Sequence, residues 1–357
     1  MKIKEIASFN PKGKKPNDYI NYVDTSSVED GKLVGLQTLS KDIPSRAQRV
    51  IEKNDILISS VRPILKHNFF VGQSIQHGVA STGFIQIRVN NSNVLPRFLY
   101  YYLTVETKTQ QYQTIAETSQ STFPSFNKDV IEEMEFPNIS LETQQHIVDI
   151  LGSIDEEIEN NEQLINIFEN LAAKKYLDFA NKTSTKIRLE DVIELFDSKR
   201  IPLSSREREQ RKGIYPYYGA TGILDYVNGF LFSGEHVLFA EDGTVTDTNG
   251  HPIVQLVNGS FWVNNHAHIL KGKNGWNDYT LYVALKQINV DKAVTGAVQP
   301  KINQANLLSL EIPNLSNNNL QTINTELDVV FHKVFHLRSE NKKLQELKGL
   351  YLKKFFE

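Results

Sequence analysis

The chain has 357 residues, of which 40% are hydrophobic and 23% are charged, values that are ordinary for a folded protein with more than one domain. It contains no cysteine, which excludes disulfides and thiolate metal sites, and no apolar run approaches 18 residues. The sequence therefore predicts neither secretion nor a membrane span and favours a cytoplasmic location. The formal net charge of -3 argues only weakly against nucleic-acid binding, because the charge is unevenly distributed.

Residues 1–131 carry 16 Lys+Arg and 11 Asp+Glu, whereas residues 132–180 carry 2 and 12. The acidic surplus thus lies on one segment, and the N-terminal part of the chain is basic. An acidic run of this kind is either a solvated helix face or a docking face for a partner protein. Its members are Asp155, Glu156, Glu157, Glu159 and Glu162.

Residues 1–136 form the first predicted domain, an α+β unit dominated by short strands. Strand-like runs lie at residues 56–61, 69–71 and 83–89, and residues 95–103, with three tyrosines, predict a buried helix. Cations in the turn-rich segments are candidate phosphate contacts, and short polar side chains in a later loop suit base edges. The candidate cations and their neighbour are Lys12, Lys14, Lys15, Arg62, Lys66 and His67, and the polar loop residues are Ser119, Gln120 and Thr122.

A proline-led signal followed by a long helix occurs twice, at residues 137–180 and 312–357, with Pro137 and Pro313 lying 176 residues apart. Ser140 and Ser316 are the predicted N-caps. Apolar residues then alternate at spacings of three and four, which is typical of a coiled-coil seam. The seams are Ile147, Leu151, Ile154, Ile158, Asn161, Ile165 and Phe168 in the first helix, and Ile323, Leu327, Val330, Val334, Leu337, Asn341 and Leu344 in the second.

A helix of about 38 residues would run about 57 Å, which is too long for one small domain to cover. The two repeats therefore predict an antiparallel coiled coil with pseudo-twofold symmetry, in which Asn161 meets Asn341 and penalises slipped registers. In that register Leu151 meets Tyr351. The alternative is two unrelated amphipathic helices, each covering its own domain.

Residues 181–311 form the second predicted domain and repeat the plan of the first. A basic segment precedes a tyrosine- and glycine-rich turn at residues 215–222, and a glycine-containing loop at residues 296–303 answers the polar loop of the first domain. Phosphate contacts by the cations and base contacts by the loop side chains are expected here, although solvated charge beside a tyrosine core explains the pattern equally well. The candidate residues are Lys199, Arg200, Arg206, Arg208, Tyr217, Tyr218, Glu241, Asp242, Thr244, Gln299 and Lys301.

The sequence contains few motifs that indicate catalysis. The sequence has no phosphate-binding GxxxxGK[ST] loop, no dinucleotide-binding GxGxxG after a strand and no HExxH zinc motif. Asp197 and Lys199 resemble part of a nuclease constellation, but so short a pattern occurs by chance. His266 and His268 share one face of a predicted strand without a visible third ligand, so we expect no metal and interpret both as structural.

The order of domain, helix, domain and helix resembles the DNA-specificity subunit of type I restriction-modification systems. The resemblance rests on the leads at Pro137 and Pro313 with Gln145 and Gln321 downstream, together with residues 215–222, 241–243 and 296–303. It implies a non-catalytic, sequence-specific DNA-binding protein whose two target-recognition domains each read one half of a bipartite, asymmetric site. The helices would set the spacing between the half-sites.

The same resemblance implies that this chain binds no cofactor of its own. Two methyltransferase (modification) subunits, which carry S-adenosylmethionine and flip the target adenine, would dock on the helices. Restriction subunits that use ATP and Mg²⁺ to translocate DNA would join them. The competing reading is a coiled-coil scaffold with two domains for other ligands, and a further alternative is a hydrolase that uses Asp197 and Lys199.

Overall fold

The structure, a computed structural model, describes residues 1–29, 31–118, 124–296 and 298–357. It divides into two compact units: unit 1 comprises Met1–Ile158 and Lys343–Glu357, and unit 2 comprises Glu159–Lys342. Both units combine short strands with helices, which confirms the α+β class. No helix in the described part of the chain has the length and apolarity needed to cross a membrane.

Unit 1 contains two four-stranded sheets, with strand orders β1-β10-β7-β8 and β5-β2-β9-β6, and a two-stranded sheet, β3-β4. The neighbours in both larger sheets are antiparallel except for β2 and β9, which run parallel with Tyr22 opposite Val79. The strands are β1 Ala7–Phe9, β2 Ile20–Val23, β3 Val28–Glu29, β4 Lys32–Leu33, β5 Gln37–Leu39, β6 Ala47–Val50, β7 Ile56–Ser59, β8 Phe69–Phe70, β9 Gly78–Ser81 and β10 Phe84–Val89.

Three short helices complete the domain part of unit 1: α1 Pro96–Thr104, α2 Glu106–Glu117 and α3 Asp129–Glu132. The predicted buried helix is α1, whose proline sits in the first turn, where its missing N–H costs nothing. Phe98, Leu99 and Leu103 of α1 are fully buried in a core that also receives strand β10. Burial of this apolar face is what holds α1 against the sheet.

Unit 2 repeats this plan, with sheet orders β12-β19-β16-β17 and β14-β13-β18-β15 and a two-stranded sheet, β11-β20. The parallel pair recurs as β13 and β18, with Tyr217 opposite Trp262. The prediction of two domains of one fold is therefore confirmed. The strands are β11 Lys186–Arg188, β12 Ile193–Leu195, β13 Lys212–Tyr218, β14 Ile223–Val227, β15 Phe232–Ser233, β16 His236–Ala240, β17 Val254–Val257, β18 Ser260–Val263, β19 Ala267–Gly272 and β20 Glu311–Pro313.

The short helices of unit 2 are α5 Leu189–Val192, α6 Ser205–Gln210, α7 Asp278–Leu285 and α8 Gln304–Ser309. Every residue of α7 is buried, and Asn277 caps it by accepting a hydrogen bond from the Thr280 N–H. The main core of unit 2 joins α7 to strands β16 and β19 and to parts of both long helices.

The two long helices are α4 Leu141–Ala180 and α9 Asn317–Phe356. Both begin where the sequence predicts, because the Ser140 hydroxyl accepts from the Thr143 N–H at 3.2 Å and the Ser316 hydroxyl from the Asn319 N–H at 3.4 Å. Each helix contributes one part to unit 1 and one part to unit 2.

Within unit 2 the two helices pack antiparallel. Lys175 pairs with Glu326 at 2.8 Å, Glu169 with Arg338 at 2.7 Å, and Asn161 with Asn341 at 2.9 Å, so residue numbers fall along one helix as they rise along the other. The predicted asparagine pair is therefore present, and both residues are buried. The seam between these helix parts includes Phe168 and Val334 in one apolar cluster.

Within unit 1 the remaining parts of the two helices pack together in the same sense. Leu151 is fully buried in a cluster against which Tyr351 and Phe355 pack, and Lys348 pairs with Asp155 at 2.5 Å. Leu151 and Tyr351 thus belong to one apolar cluster, and the Asp155–Lys348 pair agrees with the predicted register. The alternative of two unrelated helices, each covering its own domain, is wrong.

Candidate nucleic-acid interface

In unit 1 three distant segments meet at the end of strand β7. The Ser60 N–H donates to the Gly83 carbonyl at 2.9 Å, the Arg62 N–H to the Pro124 carbonyl at 2.9 Å, and the Phe126 N–H to the Ser60 carbonyl at 3.0 Å. We call this arrangement the strand-exit crossing. It places Arg62 beside the segment that follows the predicted polar loop.

Unit 2 contains the same crossing at the end of strand β16. The Glu241 N–H donates to the His266 carbonyl at 2.8 Å, the Gly243 N–H to the Pro300 carbonyl at 3.0 Å, and the Ile302 N–H to the Glu241 carbonyl at 2.8 Å. These bonds reproduce those of unit 1 one by one. The backbone arrangement therefore recurs, whereas the side chains at equivalent positions differ.

The predicted cations of unit 1 lie on its surface. Lys12, Lys14 and Lys15 are exposed in the segment between β1 and β2. A Cβ added to Gly13 would lie 2.7 Å from the Val50 Cβ, so only glycine lets this segment approach strand β6 so closely. The segment therefore holds its lysines next to an edge strand.

Arg62 and Lys66 flank a short 3₁₀ turn, Pro63–Leu65, and both have positive φ angles, 48° and 53°. Such angles are uncommon outside glycine and asparagine and often mark functional turns. Arg62 is exposed, while Lys66 pairs with Glu106 at 2.6 Å and His67 is half-buried. The predicted loop residues Ser119, Gln120 and Thr122 lie outside the described residues.

The basic segment of unit 2 divides into exposed and packed residues. Arg206 is exposed, and the Lys199 ammonium lies 4.7 Å from the centre of the Phe196 ring. Arg208 donates to the Leu203 carbonyl at 2.8 Å and lies over the ring of Tyr217. Arg208 is therefore fixed by its own domain.

The prediction that Tyr217 contacts DNA is corrected by its burial. Its side chain is only 1% exposed, and its hydroxyl accepts a hydrogen bond from the Leu203 N–H at 2.8 Å. A buried and satisfied hydroxyl has no surface to offer a ligand, so we assign Tyr217 to the core and not to DNA contact. Its neighbour Tyr218 is half-buried and packs edge-on against Phe261.

A network of charges lies beside the crossing of unit 2. Glu241 accepts from Arg200 at 2.6 Å and pairs with Lys301 at 3.0 Å. Arg200 also lies 3.3 Å from Asp197, which contacts Nδ1 of His268 at 2.5 Å. Burial raises the pKa of Glu241, but Arg200, His268 and Lys301 outweigh burial and lower it overall.

This network ties four separate segments together, and apart from the local pair of Arg200 with Asp197 its links join residues far apart in the chain. Arg200, Glu241 and Lys301 were each predicted to contact DNA, yet the structure brings them into contact with one another. Lys301 remains 45% exposed, whereas Arg200 and Glu241 are 14% and 12% exposed. We infer that Arg200 and Glu241 support residues 298–303 and that Lys301 can also face a ligand.

The same network contains the residues that could hold a metal ion. Asp197, Glu241 and His268 each offer a ligand atom, all within 4.8 Å of one another, so His268 has the carboxylate neighbours that the sequence did not reveal. Arg200 and Lys301 already balance the two carboxylates, however, and Nε2 of His268 lies 2.8 Å from the Ile302 carbonyl. A divalent cation would have to displace these cations, so the chemistry fits an ion-pair network better than a metal centre.

Asp242 and His266 form a second pair at the crossing, 2.5 Å apart, with Asp242 15% and His266 46% exposed. Beyond this pair the surface is open: Thr244 and Gln299 are exposed, and the Gly243–Pro300 hydrogen bond holds their two loops side by side. The structure therefore brings these predicted base-reading residues to one end of unit 2. The network behind them was missed by sequence reasoning.

Comparisons with known proteins identify the family of this chain. The family model described as "Type I restriction modification DNA specificity domain" matches residues 1–169 and again residues 181–348. Among curated relatives, the HindI specificity subunit of Haemophilus influenzae is 34% identical over 159 residues, which are 44% of this chain and 35% of that protein. The EcoprrI specificity subunit of Escherichia coli is 23% identical over 302 residues, 80% of this chain and 73% of that protein.

The chain thus matches about a third of the length of the Haemophilus relative. Among solved structures, the type I restriction-modification system S subunit from M. genitalium has a TM-score of 0.57 and 17% identity, and the match covers 100% of this chain and 95% of that chain. At that identity the likeness shows the fold alone. Because the family model covers both halves of the sequence, the chain belongs to the family of type I restriction-modification DNA specificity proteins.

Proposed function

We propose that this chain is the DNA-reading subunit of a type I restriction-modification complex and performs no catalysis itself. Unit 1 and unit 2 each read one half of a split, asymmetric DNA site. The observation that carries this proposal is the strand-exit crossing, which recurs bond for bond in both units. Three recurring backbone hydrogen bonds with different side chains suit two readers of one fold and two different half-sites.

The equivalent positions at the crossing differ in charge and size. Ser60 and Arg62 in unit 1 correspond to Glu241 and Gly243 in unit 2, and Ser125 corresponds to Lys301. Unit 1 therefore offers an arginine where unit 2 offers a glycine turn. Because base edges are distinguished by donors, acceptors and methyl groups, such differences favour different target sequences.

The exposure of the candidate residues indicates which of them can contact DNA. In unit 1 we assign phosphate contacts to Lys12, Lys14, Lys15 and Arg62, and in unit 2 to Arg206 and Lys301. Thr244 and Gln299 have the short polar groups and the exposure needed to reach base edges. Arg200 and Glu241 act behind them as supports.

The long helices are the proposed docking sites for two methyltransferase subunits. In unit 2, helix α4 buries one seam against α9 but exposes a second apolar stripe at Leu164, Ile167 and Leu171, which are 40%, 60% and 38% exposed. An exposed apolar stripe on a long helix typically marks a protein contact. Part of the predicted acidic face is less available, because Asp155 pairs with Lys348 and accepts from Tyr101 at 2.7 Å.

The cofactors belong to the partners in this proposal. S-adenosylmethionine would be bound by the methyltransferase subunits, and ATP with Mg²⁺ by restriction subunits that join the complex. The chain itself supplies the surfaces that place DNA relative to those partners. Two modest readers on one spacer gain avidity only when both half-sites lie at the right separation.

The decisive experiment is to co-express the chain with the methyltransferase genes adjacent to its own and to map the modified adenines. A bipartite motif with a fixed gap is the expected result. The double variant Thr244→Ala, Gln299→Ala should alter one half of the motif and leave the other half intact. Modification without any sequence preference would contradict the proposal.

A salt titration separates DNA reading from the scaffold alternative. Phosphate contacts release counterions, so the affinity for duplex DNA should fall linearly with the logarithm of salt concentration. A scaffold for peptides or glycans would show no such dependence. The measurement should use the full chain together with its methyltransferase partner.

A further inference from the structure

Arg49 is an exception among the arginines of unit 1. It lies on β6, an edge strand, opposite Ala80 in the strand register. Its Nε atom is buried and has no hydrogen-bond partner. Within the described part of the chain, Arg49 also has no acidic partner.

The neighbouring arginine Arg88 shows the usual solution for a half-buried guanidinium. Its Nε and Nη2 atoms donate to the two oxygens of Asp55 at 2.7 and 2.8 Å, and Nη1 reaches Glu52 at 2.7 Å. These partners raise the pKa of Arg88, whereas burial alone lowers the pKa of Arg49. Arg49 therefore loses water without gaining a counter-charge.

Such an arrangement costs free energy in the isolated protein, since a partly desolvated cation without a partner is unfavourable. Replacing Arg49 with an apolar residue of similar length would remove the cost. A group of this kind is explained most simply by a ligand that supplies the missing negative charge.

The position of Arg49 indicates the chemical class of this ligand. Strand β6 begins at the strand-exit crossing: the Thr82 N–H donates to the Arg46 carbonyl at 2.8 Å, and Gly83 accepts from Ser60. The side chain of Arg46 is 64% exposed and lies 3.6 Å from Asp24. Arg49 follows three residues later, about 10 Å further along the strand.

The lysine segment between β1 and β2 also contacts strand β6. Gly13 packs on Val50, the residue next to Arg49, and its neighbours Lys12 and Lys14 are exposed. Two separate segments thus bring cations to the same edge strand, with the lysine segment packed on the Val50 face of β6. The acidic groups nearest in sequence, Glu52 and Asp55, are both committed to Arg88.

We propose that Arg49 binds a backbone phosphate of the DNA half-site that unit 1 reads. The inference rests on the proposed function and extends it to a residue for which the sequence carries no signal. The contact positions the duplex and carries no sequence information, because a phosphate is the same at every base pair. A carboxylate on a partner protein is the competing source of negative charge, and the experiment below distinguishes the two.

The test compares Arg49→Met and Arg49→Lys with wild type in the full chain bound to its methyltransferase partner. For Arg49→Met we expect about tenfold weaker binding to specific and non-specific duplexes alike, as the loss of one charge-assisted bond predicts. The slope of log affinity against log salt should fall by about 0.9. Arg49→Lys should keep the slope and recover part of the affinity.

Stability provides the second readout. Arg49→Met should unfold at the same or a higher denaturant concentration than wild type, because it removes a partly desolvated cation without a partner. The control variant Lys108→Met removes a cation from helix α2 of the same unit and should leave the salt slope unchanged.

Each contrary outcome has a distinct meaning. An unchanged salt slope with reduced stability would make Arg49 structural, and an unchanged slope with weaker methyltransferase binding would identify a protein carboxylate as its partner. Either result overturns the inference and leaves the proposed function intact. Failure of the wild-type complex to bind any duplex overturns both.

Discussion

Asn161 donates a hydrogen bond from its side-chain amide to the side-chain oxygen of Asn341 at 2.9 Å, inside the helix seam of unit 2. The flanking seam residues Ile165, Val334 and Leu337 are apolar, and the Asn161 amide also reaches Glu340 at 3.3 Å. A pair of this kind lowers stability and favours one register, because a slipped register would bury each amide against apolar groups.

The first prediction follows from this pair. Asn161→Leu alone should destabilise unit 2 by about 1–3 kcal/mol, because Asn341 then loses a buried partner. The double variant Asn161→Leu, Asn341→Leu should regain that stability and exceed wild type. Denaturant unfolding measures both, and exposed Asn160→Leu is the control, with an expected change within about 0.5 kcal/mol. A double variant as unstable as the single one would contradict this account.

A second prediction concerns half-site spacing. Inserting one matched heptad in both α4 and α9 should lengthen the preferred gap in the DNA site by about 10.5 Å, or about 3 base pairs, because a helix rises about 1.5 Å per residue. The half-sites themselves should stay the same, as mapped from modified adenines. A heptad in one helix alone should disrupt the seam and reduce modification. If the matched insertion leaves the gap unchanged, the helices do not set the spacing.

The ion pair of Arg200 and Glu241 makes a third prediction. The folded-state pKa of Glu241 lies below its unfolded value, so its contribution to stability is complete above the ordinary glutamate pKa of about 4.3 and is lost as pH falls through the lower folded pKa. The Glu241→Gln variant should therefore show a weaker loss of stability on acidification than wild type. Unfolding free energies measured between pH 3 and 7 test this, and parallel curves for the two proteins would disprove it.

Breaking the same pair from the other side gives a fourth prediction. Arg200→Met should destabilise unit 2 by about 2 kcal/mol, because the largely buried Glu241 loses its shortest cationic contact. Arg206→Met, which removes an exposed cation nearby, should change stability by less than about 0.5 kcal/mol. Thermal or denaturant unfolding distinguishes the two. Equal effects would mean that the network does not support residues 298–303.

The exposed stripe of α4 makes a fifth prediction. Ile167→Lys should weaken methyltransferase binding at least tenfold, because a charge would be buried in an apolar contact. Val329→Lys places the same charge at an isolated exposed valine of α9 and should have little effect. Affinity is measured by titrating the purified subunits, with unfolding curves as a check on folding. Equal binding by both variants would exclude the stripe as the docking site.

The sequence by itself determined the repeat, the helix starts at Ser140 and Ser316, the pairing of Asn161 with Asn341, and the division into two domains of one fold. These features follow from local periodicity and from a spacing of 176 residues, which need no knowledge of tertiary contacts. The sequence also predicted that the candidate lysines, Thr244 and Gln299 are exposed, since short polar and charged residues in turns usually face water.

Only the tertiary structure decided which charged residues face outward and which face one another. Arg200, Glu241 and Lys301 lie in three segments far apart in the chain, and the same residue types in sequence fit a DNA surface or an internal network equally well. Tyr217 is buried because strand β13 turns that side of its pleat toward the core, and Asp55 pairs with Arg88, whereas the buried Nε of Arg49 has no partner. Charge pairing depends on distances across the fold, and a pattern of residue types carries no such distances.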